Sequence, residues 1–291
     1  MRSAPLENEM KKILFALTAT AALMASTPAS AIIVGGIDFG SSGAAHIETA
    51  TLAETFVDGT AQVLEGYGYV TTVNGAVSYC ASAPCSLYYV FNNYTSTAFN
   101  GRQVQFSGGV VDLYYAPSSA INLFSQNSPA NIALIQAMTP WVQLTGHTFA
   151  DPAFALNPGM GLLQTLNGTG TLTGATLSES GQGLLDVNTS GAFGIAAVAA
   201  YLNGNSIGDS LGGFADIALT ASSNNNFLNP FDISSGLAAG CANGTAAPGA
   251  WCLQGTMNTR GATVVPEPGT LALVGLACFI GGGLARRRKQ G

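Results

Sequence analysis

The chain has 291 residues, of which 47% are hydrophobic and only 8% are charged, and its formal net charge at pH 7 is −6. This composition excludes extensive disorder, which requires low hydrophobicity and high net charge. Residues 32–265 contain two cations, Arg102 and Arg260, against twelve acids, which excludes nucleic-acid binding because phosphates must be neutralised by clustered positive charge.

The N-terminal segment predicts a removable signal peptide over residues 1–31. Lys11 and Lys12 supply a positive n-region, an apolar h-region follows, and Ala29 and Ala31 form a small-x-small cleavage site. The apolar run is shorter than a membrane span requires. Two acids precede the lysines, so we place the true start at Met10. We expect a signal helix that is handled by the Sec export machinery and signal peptidase.

Residues 32–262 predict an exported body rich in strands. The run 63–73 has strand-forming residues and ends in Asn74-Gly75, the strongest short signal for a hairpin, with residues 76–80 as the returning strand. Further runs rich in strand-forming residues predict four more strands. These lie at residues 86–91, at 103–115 with a break at Gly108-Gly109, at 168–172 and at 215–220.

Helical periodicity is confined to a short part of the body. Ile132, Ile135 and Met138 recur at helical spacing and predict a helix over residues 130–142. Residues 191–202 are alanine-rich but bounded by glycines, which leaves their state open. The expected fold class is therefore mostly β, an antiparallel sandwich or barrel-like body with one or two short helices.

Four of the five cysteines form two local pairs in the sequence, Cys80 with Cys85 and Cys241 with Cys252. Export permits disulfides, and the short spacings favour pairing within each couple, although four cysteines allow three connectivities. A metal site is the rival interpretation. It is disfavoured because both histidines lie far from the cysteines and no C-x-x-C occurs.

Recognisable catalytic motifs are absent from the sequence, including the nucleophile elbow, the zinc-protease helix and the phosphate-binding loop. We therefore predict no catalytic residue, metal or cofactor. His147 could serve a serine or an aspartate, but a lone histidine is interpreted as structural. Asp209 and Asp216 could pair as in glycosidases, yet they are expected to cap turns. With Asn203 and Asn205 they also offer oxygen ligands, so calcium stays an alternative.

The C-terminal segment, residues 263–291, predicts a sorting and anchoring tail. Pro266, Glu267 and Pro268 interrupt regular structure, and residues 271–285 are apolar but slightly short for a stable transmembrane helix. A basic cluster follows that would stop translocation and leave the body on the outer side of the membrane. The cluster is Arg286, Arg287, Arg288 and Lys289.

This order of triplet, marginal span and basic cluster resembles the PEP-CTERM sorting signal of Gram-negative bacteria, over residues 265–289. The resemblance implies an exosortase, a membrane cysteine protease-like enzyme, as the processing partner. It would cut near Pro266-Glu267-Pro268 and release or transfer the body. The tail would then be a removable targeting signal, as in a GPI signal, and not a permanent anchor. An ordinary single-span anchor is the alternative.

A second resemblance lies in the body, at residues 111–115, 181–187, 199–205 and 215–220. These runs are similar to the flocculation-associated branch of PEP-CTERM proteins, although Leu202-Asn203-Gly204-Asn205 lacks the aromatic residue that usually precedes the branch's Asp-Thr-Asn. The branch implies a role in cell aggregation or in the extracellular matrix, with exopolysaccharide as partner.

Two classes of function follow. The first is a non-enzymatic protein, transiently anchored in the inner membrane and then placed at the cell surface or in the matrix, where it supports flocculation. The alternative is an exported carbohydrate-binding module or hydrolase. That alternative depends on aromatic side chains able to stack on sugar rings. The candidates are Tyr88, Tyr89, Tyr114, Tyr115, Trp141 and Trp251.

Overall fold

The structure is a computed structural model that describes residues 31–41, 44–82, 84–117, 121–226 and 240–262. The strands are β1 (Ile33–Val34), β2 (Ile37–Asp38), β3 (Ala44–Thr55), β4 (Val63–Val73), β5 (Ser86–Phe99), β6 (Gln103–Ala116), β7 (Thr139–His147), β8 (Phe149–Ala150), β9 (Leu163–Gln164), β10 (Leu166–Thr171), β11 (Ser178–Val187), β12 (Ile207–Gly208), β13 (Phe214–Ala215), β14 (Ile217–Asn224) and β15 (Trp251–Ala262). The helices are α1 (Ser128–Gln136), α2 (Pro152–Ala155) and α3 (Ala196–Leu202).

The long strands of this body close into one antiparallel, barrel-like sheet. Around the ring the order is β3, β4, β5, β6, β7, β11, β14 and β15, and β15 pairs back with β3. β7 and β10 share one position in the ring, because both pair with β6 on one side and β11 on the other. The predicted class, mostly β with an antiparallel barrel-like body, is confirmed.

The interior of the ring is filled by side chains. An eight-stranded closed sheet is just wide enough for inward-facing residues to pack against one another. Tyr89 and Phe91 on β5, Leu113 on β6 and Leu144 on β7 are among the buried members of this core. The sheet therefore surrounds a packed hydrophobic core.

One end of the sheet, which we call the plugged end, is where Ala44 pairs with Ala262. It is closed by the β1–β2 ribbon and by α3. Trp141 on β7 is fully buried there, with its ring stacked near Phe39 and its Nε1 donating a hydrogen bond of 3.0 Å to the Gly35 carbonyl. The opposite end, where Trp251 pairs with Thr55, is called the far end.

A second core lies on the outer surface of β4, β5 and β6 beneath α1. Ile135 of the helix is fully buried against Tyr67 and Tyr88. The Asn131 amide, also fully buried, donates to the Tyr67 hydroxyl at 2.7 Å and so fixes the helix on the sheet. At its start, the Asn127 side chain caps the helix by accepting from the Ala130 amide.

The predicted helix over residues 130–142 is correct only in its first half. α1 ends at Gln136, and the chain continues from Thr139 as strand β7. Pro140 explains the change, because proline disfavours helix both at its own position and at the residue before it. The open segment 191–202 forms the helix α3 from Ala196 onward.

Two predictions that depended on glycine, a hairpin at Asn74-Gly75 and a strand break at Gly108-Gly109, were wrong. Asn74 and Gly75 form a tight turn with positive φ, and Val73 and Ala76 bond across it, but residues 76–80 do not return as a strand. β4 pairs with β3 and β5 instead. Gly108-Gly109 does not break β6. Both have positive φ, and Tyr94 packs where a side chain at Gly109 would lie.

Within the described residues, no helix has both the length and the apolar character needed to cross a membrane. The predicted signal helix and the predicted tail helix fall outside the described residues.

Candidate functional site

The clearest polar cluster on the body brings His147 between two carboxylates on the outer wall of the sheet. His147 is the last residue of β7, Asp186 lies on the neighbouring β11, and Asp209 lies in the connection between β12 and β13. The His147 Nδ1 atom is 2.8 Å from Asp186 Oδ2, and its Nε2 atom is 3.2 Å from Asp209 Oδ2. Residues that are 39 and 62 positions from the histidine thus meet it.

Asp209 is held in place by its own turn. Its Oδ1 atom accepts from the backbone amides of Leu211 at 2.7 Å and Gly213 at 2.9 Å, and its carbonyl accepts from the Ala150 amide at 3.0 Å. These contacts are those of the turn cap that the sequence predicts. The hydrogen bonds from the Leu211 amide, which has the largest effect, and from the Gly213 amide lower the pKa of Asp209 and leave Oδ2 to face His147.

The electrostatics of the cluster favour a charged histidine. Partial burial by itself would lower the pKa of His147, but the hydrogen bonds and negative charges of Asp186 and Asp209 outweigh it and raise that pKa above its ordinary value. The imidazolium can then donate to one carboxylate from each ring nitrogen. The cluster therefore works as an ion-paired clasp that fastens the β12–β13 ribbon to the sheet.

This arrangement is a poor catalytic site. A general base needs a ring nitrogen that is free to take a proton from a nucleophile. In the described part of the chain both nitrogens of His147 are occupied by carboxylates. The contacts of His147 connect the β12–β13 ribbon to the sheet, and the absence of catalysis by this histidine stays a prediction.

Asp216 does not join the cluster. It is 2% exposed, and its two carboxylate oxygens accept from the amides of Val187 at 2.7 Å and Asn205 at 2.8 Å. Asp209 and Asp216 thus stabilise separate turns. Neither carboxylate is placed as one of a pair facing a substrate, which glycosidase chemistry would require.

The four candidate calcium ligands do not converge either. The Asn203 side-chain oxygen accepts a hydrogen bond from the side-chain amide of Asn205 at 2.7 Å. Both carboxylate oxygens of Asp216 accept from backbone amides. Among the residues that the structure describes, no three His, Cys, Asp or Glu side chains are grouped so that they could hold a metal ion.

Both predicted disulfide pairings are present. Cys80 is bonded to Cys85 with a Cα–Cα distance of 5.8 Å, and Cys241 to Cys252 with a distance of 5.2 Å. The second bond lies at the far end, where it packs with Phe56, Leu177 and Leu253 in a small separate core. Each bond closes a short loop and thereby restrains the unfolded chain.

The aromatic side chains that a sugar-binding site would need are mostly inside the protein. Five of the six candidates are at most 6% exposed, and the sixth, Tyr115, is half-buried. The five are Tyr88, Tyr89, Tyr114, Trp141 and Trp251. They contribute to the two larger cores, so their faces are not available to stack on a polymer.

The clasp predicts a pH-dependent stability that His147→Gln removes. A raised folded pKa stabilises the protein fully below the unfolded value near 6.5, and this contribution is lost as pH rises through the folded pKa. After allowance for solvent screening, we expect the variant to melt roughly 2–4 °C below wild type at about pH 5.5, equivalent to about 1 kcal/mol. The difference should nearly vanish by about pH 9.

His46→Gln is the matched control, because His46 faces a single carboxylate, Glu48, at 3.6 Å. Thermal unfolding followed by circular dichroism at both pH values measures all three proteins. A His147→Gln deficit that is the same at both pH values would contradict the charged clasp and indicate a packing effect alone.

The residues predicted to direct export and sorting fall largely outside the described residues. This holds for Ala29 at the cleavage site, for Pro266, Glu267 and Pro268, and for the basic cluster 286–289. Ala31 is the first described residue and is exposed.

Comparison with known proteins identifies one segment of the chain. The family model of the PEP-CTERM protein-sorting motif matches residues 264–289. No curated protein and no solved structure matches the chain.

Proposed function

Because residues 264–289 are a PEP-CTERM sorting motif, the chain is an exported protein processed by an exosortase, and we propose that its body is a non-enzymatic component of the cell surface or extracellular matrix. The motif match is the observation that carries this proposal. Before processing, the tail holds the protein in the inner membrane. After processing, the body acts outside the cell.

The architecture of the body supports a non-enzymatic role. A closed sheet around a packed core, restrained by two disulfides, gives a durable module suited to conditions outside the cell. The most conspicuous polar cluster, around His147, is internally satisfied and fastens one ribbon to the sheet. The acidic composition also limits nonspecific adhesion to anionic polymers and lipids.

We further propose that the body supports flocculation by contact with exopolysaccharide. The resemblance of residues 181–187 and 215–220 to the flocculation-associated branch supports this role. Neighbouring strands β11 and β14 also present exposed hydroxyl and amide side chains on the outer wall, with Ser180 paired to Ser222 and Gln182 to Thr220. Such groups can both donate hydrogen bonds to sugar hydroxyls and accept them.

Deletion of the protein in its native host tests this function. We expect flocs to disperse, while the length distribution of the exopolysaccharide stays unchanged because no enzyme has been removed. Re-expression of the wild-type chain should restore settling, and an empty vector is the control. Unchanged flocs would contradict the flocculation role, and longer polymer chains would instead indicate the alternative, an exported hydrolase.

A further inference from the structure

An uncharged polar array covers part of the outer wall of the sheet, on strands β10, β11, β14 and β15 and at the start of β6. Its positions alternate along the strands with buried core residues such as Leu166, Leu219 and Met257, and therefore face outward. Strand pairing aligns them in three rows that run across the strands. The first row is Gln105, Asn167, Gln182, Thr220 and Asn258, the second is Gln103, Thr169, Ser180, Ser222 and Thr256, and the third is Thr171, Ser178, Asn224 and Gln254.

Every side chain of this polar array carries a hydroxyl or an amide group, and none is charged. A protein surface of ordinary composition, with roughly 25–35% charged residues, would place several charges among so many positions. Arg102 and Arg260 lie at the edges of the array. Glu179 lies on β11 but faces the interior, where its carboxylate accepts a hydrogen bond from the Ser223 hydroxyl at 2.8 Å. Hydrogen bonding is therefore the main interaction that this surface offers to a partner.

Two buried amide groups at one end of the first row lack a hydrogen-bond partner. Within the described residues, neither the Asn167 Nδ2 atom nor the Gln164 Nε2 atom has one. Asn167 is 4% exposed and Gln164 is 2% exposed. Gln105 connects the two, because it is the cross-strand neighbour of Asn167 and its side chain contacts that of Gln164. A buried donor without a partner is costly, so this end of the row is suited to a ligand that supplies acceptor oxygens.

Gln105 itself is fully engaged. Its Nε2 atom donates to the Gly161 carbonyl at 2.8 Å, and its Oε1 atom accepts from the Gly161 amide at 2.6 Å. These bonds fix the segment before β9 against the β6 side of the array. Asn167 is thus the first member of the row, counted from β6, with a donor left for a ligand.

The spacing and charge of the array favour an uncharged polysaccharide as its partner. Neighbouring strands lie about 4.8 Å apart, so a polymer that runs across them meets a new side chain at a period close to the length of one sugar residue in an extended chain. Sugar hydroxyls donate and accept hydrogen bonds, as Ser, Thr, Asn and Gln side chains do. Acidic polymers are disfavoured, because residues 32–265 carry twelve acids against two cations and repel a polyanion.

We propose that the polar array binds an uncharged polysaccharide in extended conformation, with the polymer lying along the rows and across the strands. Asn167 and Gln164 donate to it at the β6 side, and Gln182, Thr220 and Asn258 continue the contact toward β15. This inference rests on the proposed contact with exopolysaccharide and adds the class of polymer, the binding face and the direction of the chain. Because one long polymer can bind several bodies at once, weak contacts at each body combine into adhesion.

Two cellulose derivatives with the same backbone test the class of polymer. The full-length chain, purified in nonionic detergent and immobilised on a biosensor, is exposed to uncharged hydroxyethyl cellulose and to anionic carboxymethyl cellulose. The neutral and acidic fractions of the host's own exopolysaccharide, separated by anion exchange, form a second pair. We expect a neutral polymer to bind at least about tenfold more tightly than its acidic counterpart. Failure of both neutral polymers to bind, or an acidic polymer that binds as tightly as its neutral counterpart, would overturn the proposal.

Substitutions within the array locate the binding face. Thr220→Glu places a charge at an exposed position of the first row and should weaken binding of the neutral polymer by about tenfold or more. Asn167→Leu has a similar shape but no donor, so it should weaken binding by roughly 2–10-fold without lowering the melting temperature. Thr139→Glu is the matched control, because Thr139 is exposed on β7 outside the array. A Thr220→Glu protein that binds as tightly as this control would place the polymer elsewhere and overturn the proposal.

Settling assays in the native host separate this inference from the proposed function. Suppose that deletion disperses the flocs and that re-expressed Thr220→Glu restores settling as fully as wild type. The surface role would then stand, and the assignment of the array would be overturned. If deletion leaves the flocs unchanged while Thr220→Glu loses polymer binding, the flocculation role fails and the array is supported.

Discussion

Replacing Pro266, Glu267 and Pro268 together with alanine is expected to leave the chain uncut and embedded in the inner membrane. The triplet lies inside the matched sorting motif, residues 264–289. Proline disfavours helix at its own position and at the residue before it, which restrains the conformations open to this part of the motif. Alanines would remove that restraint together with the charge of Glu267, so the exosortase would lose its recognition element.

Intact mass and cell fractionation in the native host measure this result. The wild-type chain should begin at Ile32, end near Pro266 and lie outside the membrane, but only when the exosortase is present. Gln290→Ala, which lies outside the matched motif, is the control and should be processed normally. Normal processing of the alanine triplet variant, or wild-type processing without the enzyme, would mean that the tail is an ordinary anchor.

Trp141→Ala is expected to destabilise the body more than any surface substitution. The side chain is fully buried at the plugged end, stacks near Phe39, and donates to the Gly35 carbonyl. Truncation of a buried tryptophan costs about 3–5 kcal/mol. For a body of this size, the melting temperature should fall by roughly 6–20 °C.

Two further variants separate the causes of that loss. Trp141→Phe keeps most of the buried ring but loses the hydrogen bond to Gly35, so it should cost about 1–2 kcal/mol. Leu156→Ala is the surface control, because Leu156 is 86% exposed and should change stability by less than about 0.5 kcal/mol. A Trp141→Ala protein that melts like this control would show that Trp141 does not stabilise the plugged end. Trp141 would then become a candidate again for stacking on a sugar ring.

The local part of the fold was predictable where neighbouring residues alone decide the outcome. Strand β4 has the predicted bounds, 63–73, because strand-forming residues end at an Asn-Gly turn that accepts positive φ. The two disulfides follow the shortest sequence spacings. The strands that pair with a given strand were harder to predict from the sequence. The predicted hairpin at Asn74 failed because both edges of β4 are paired, one with β3 and the other with β5, which leaves no edge for residues 76–80.

Strands β3, β11 and β15 were not predicted, and the reason is compositional. They carry several Ala, Gly, Glu, Asp or Asn residues, types that are depleted in strands and therefore give weak strand signals. Gly255 shows why the small residues are needed, since a side chain there would collide with the Ser222 carbonyl of the adjacent strand. Close approach of neighbouring backbones thus selects residues that look unstructured in sequence.

The sequence by itself determined that this protein is exported and sorted, because proteases and the export machinery read short linear patterns of charge, apolar length and proline. Only the tertiary structure decided which distant residues of the body come into contact. Closure of the ring by β15 and β3 and the position of His147 between two carboxylates both join residues far apart in the chain. Such contacts depend on strand register around a closed sheet, which local sequence does not specify.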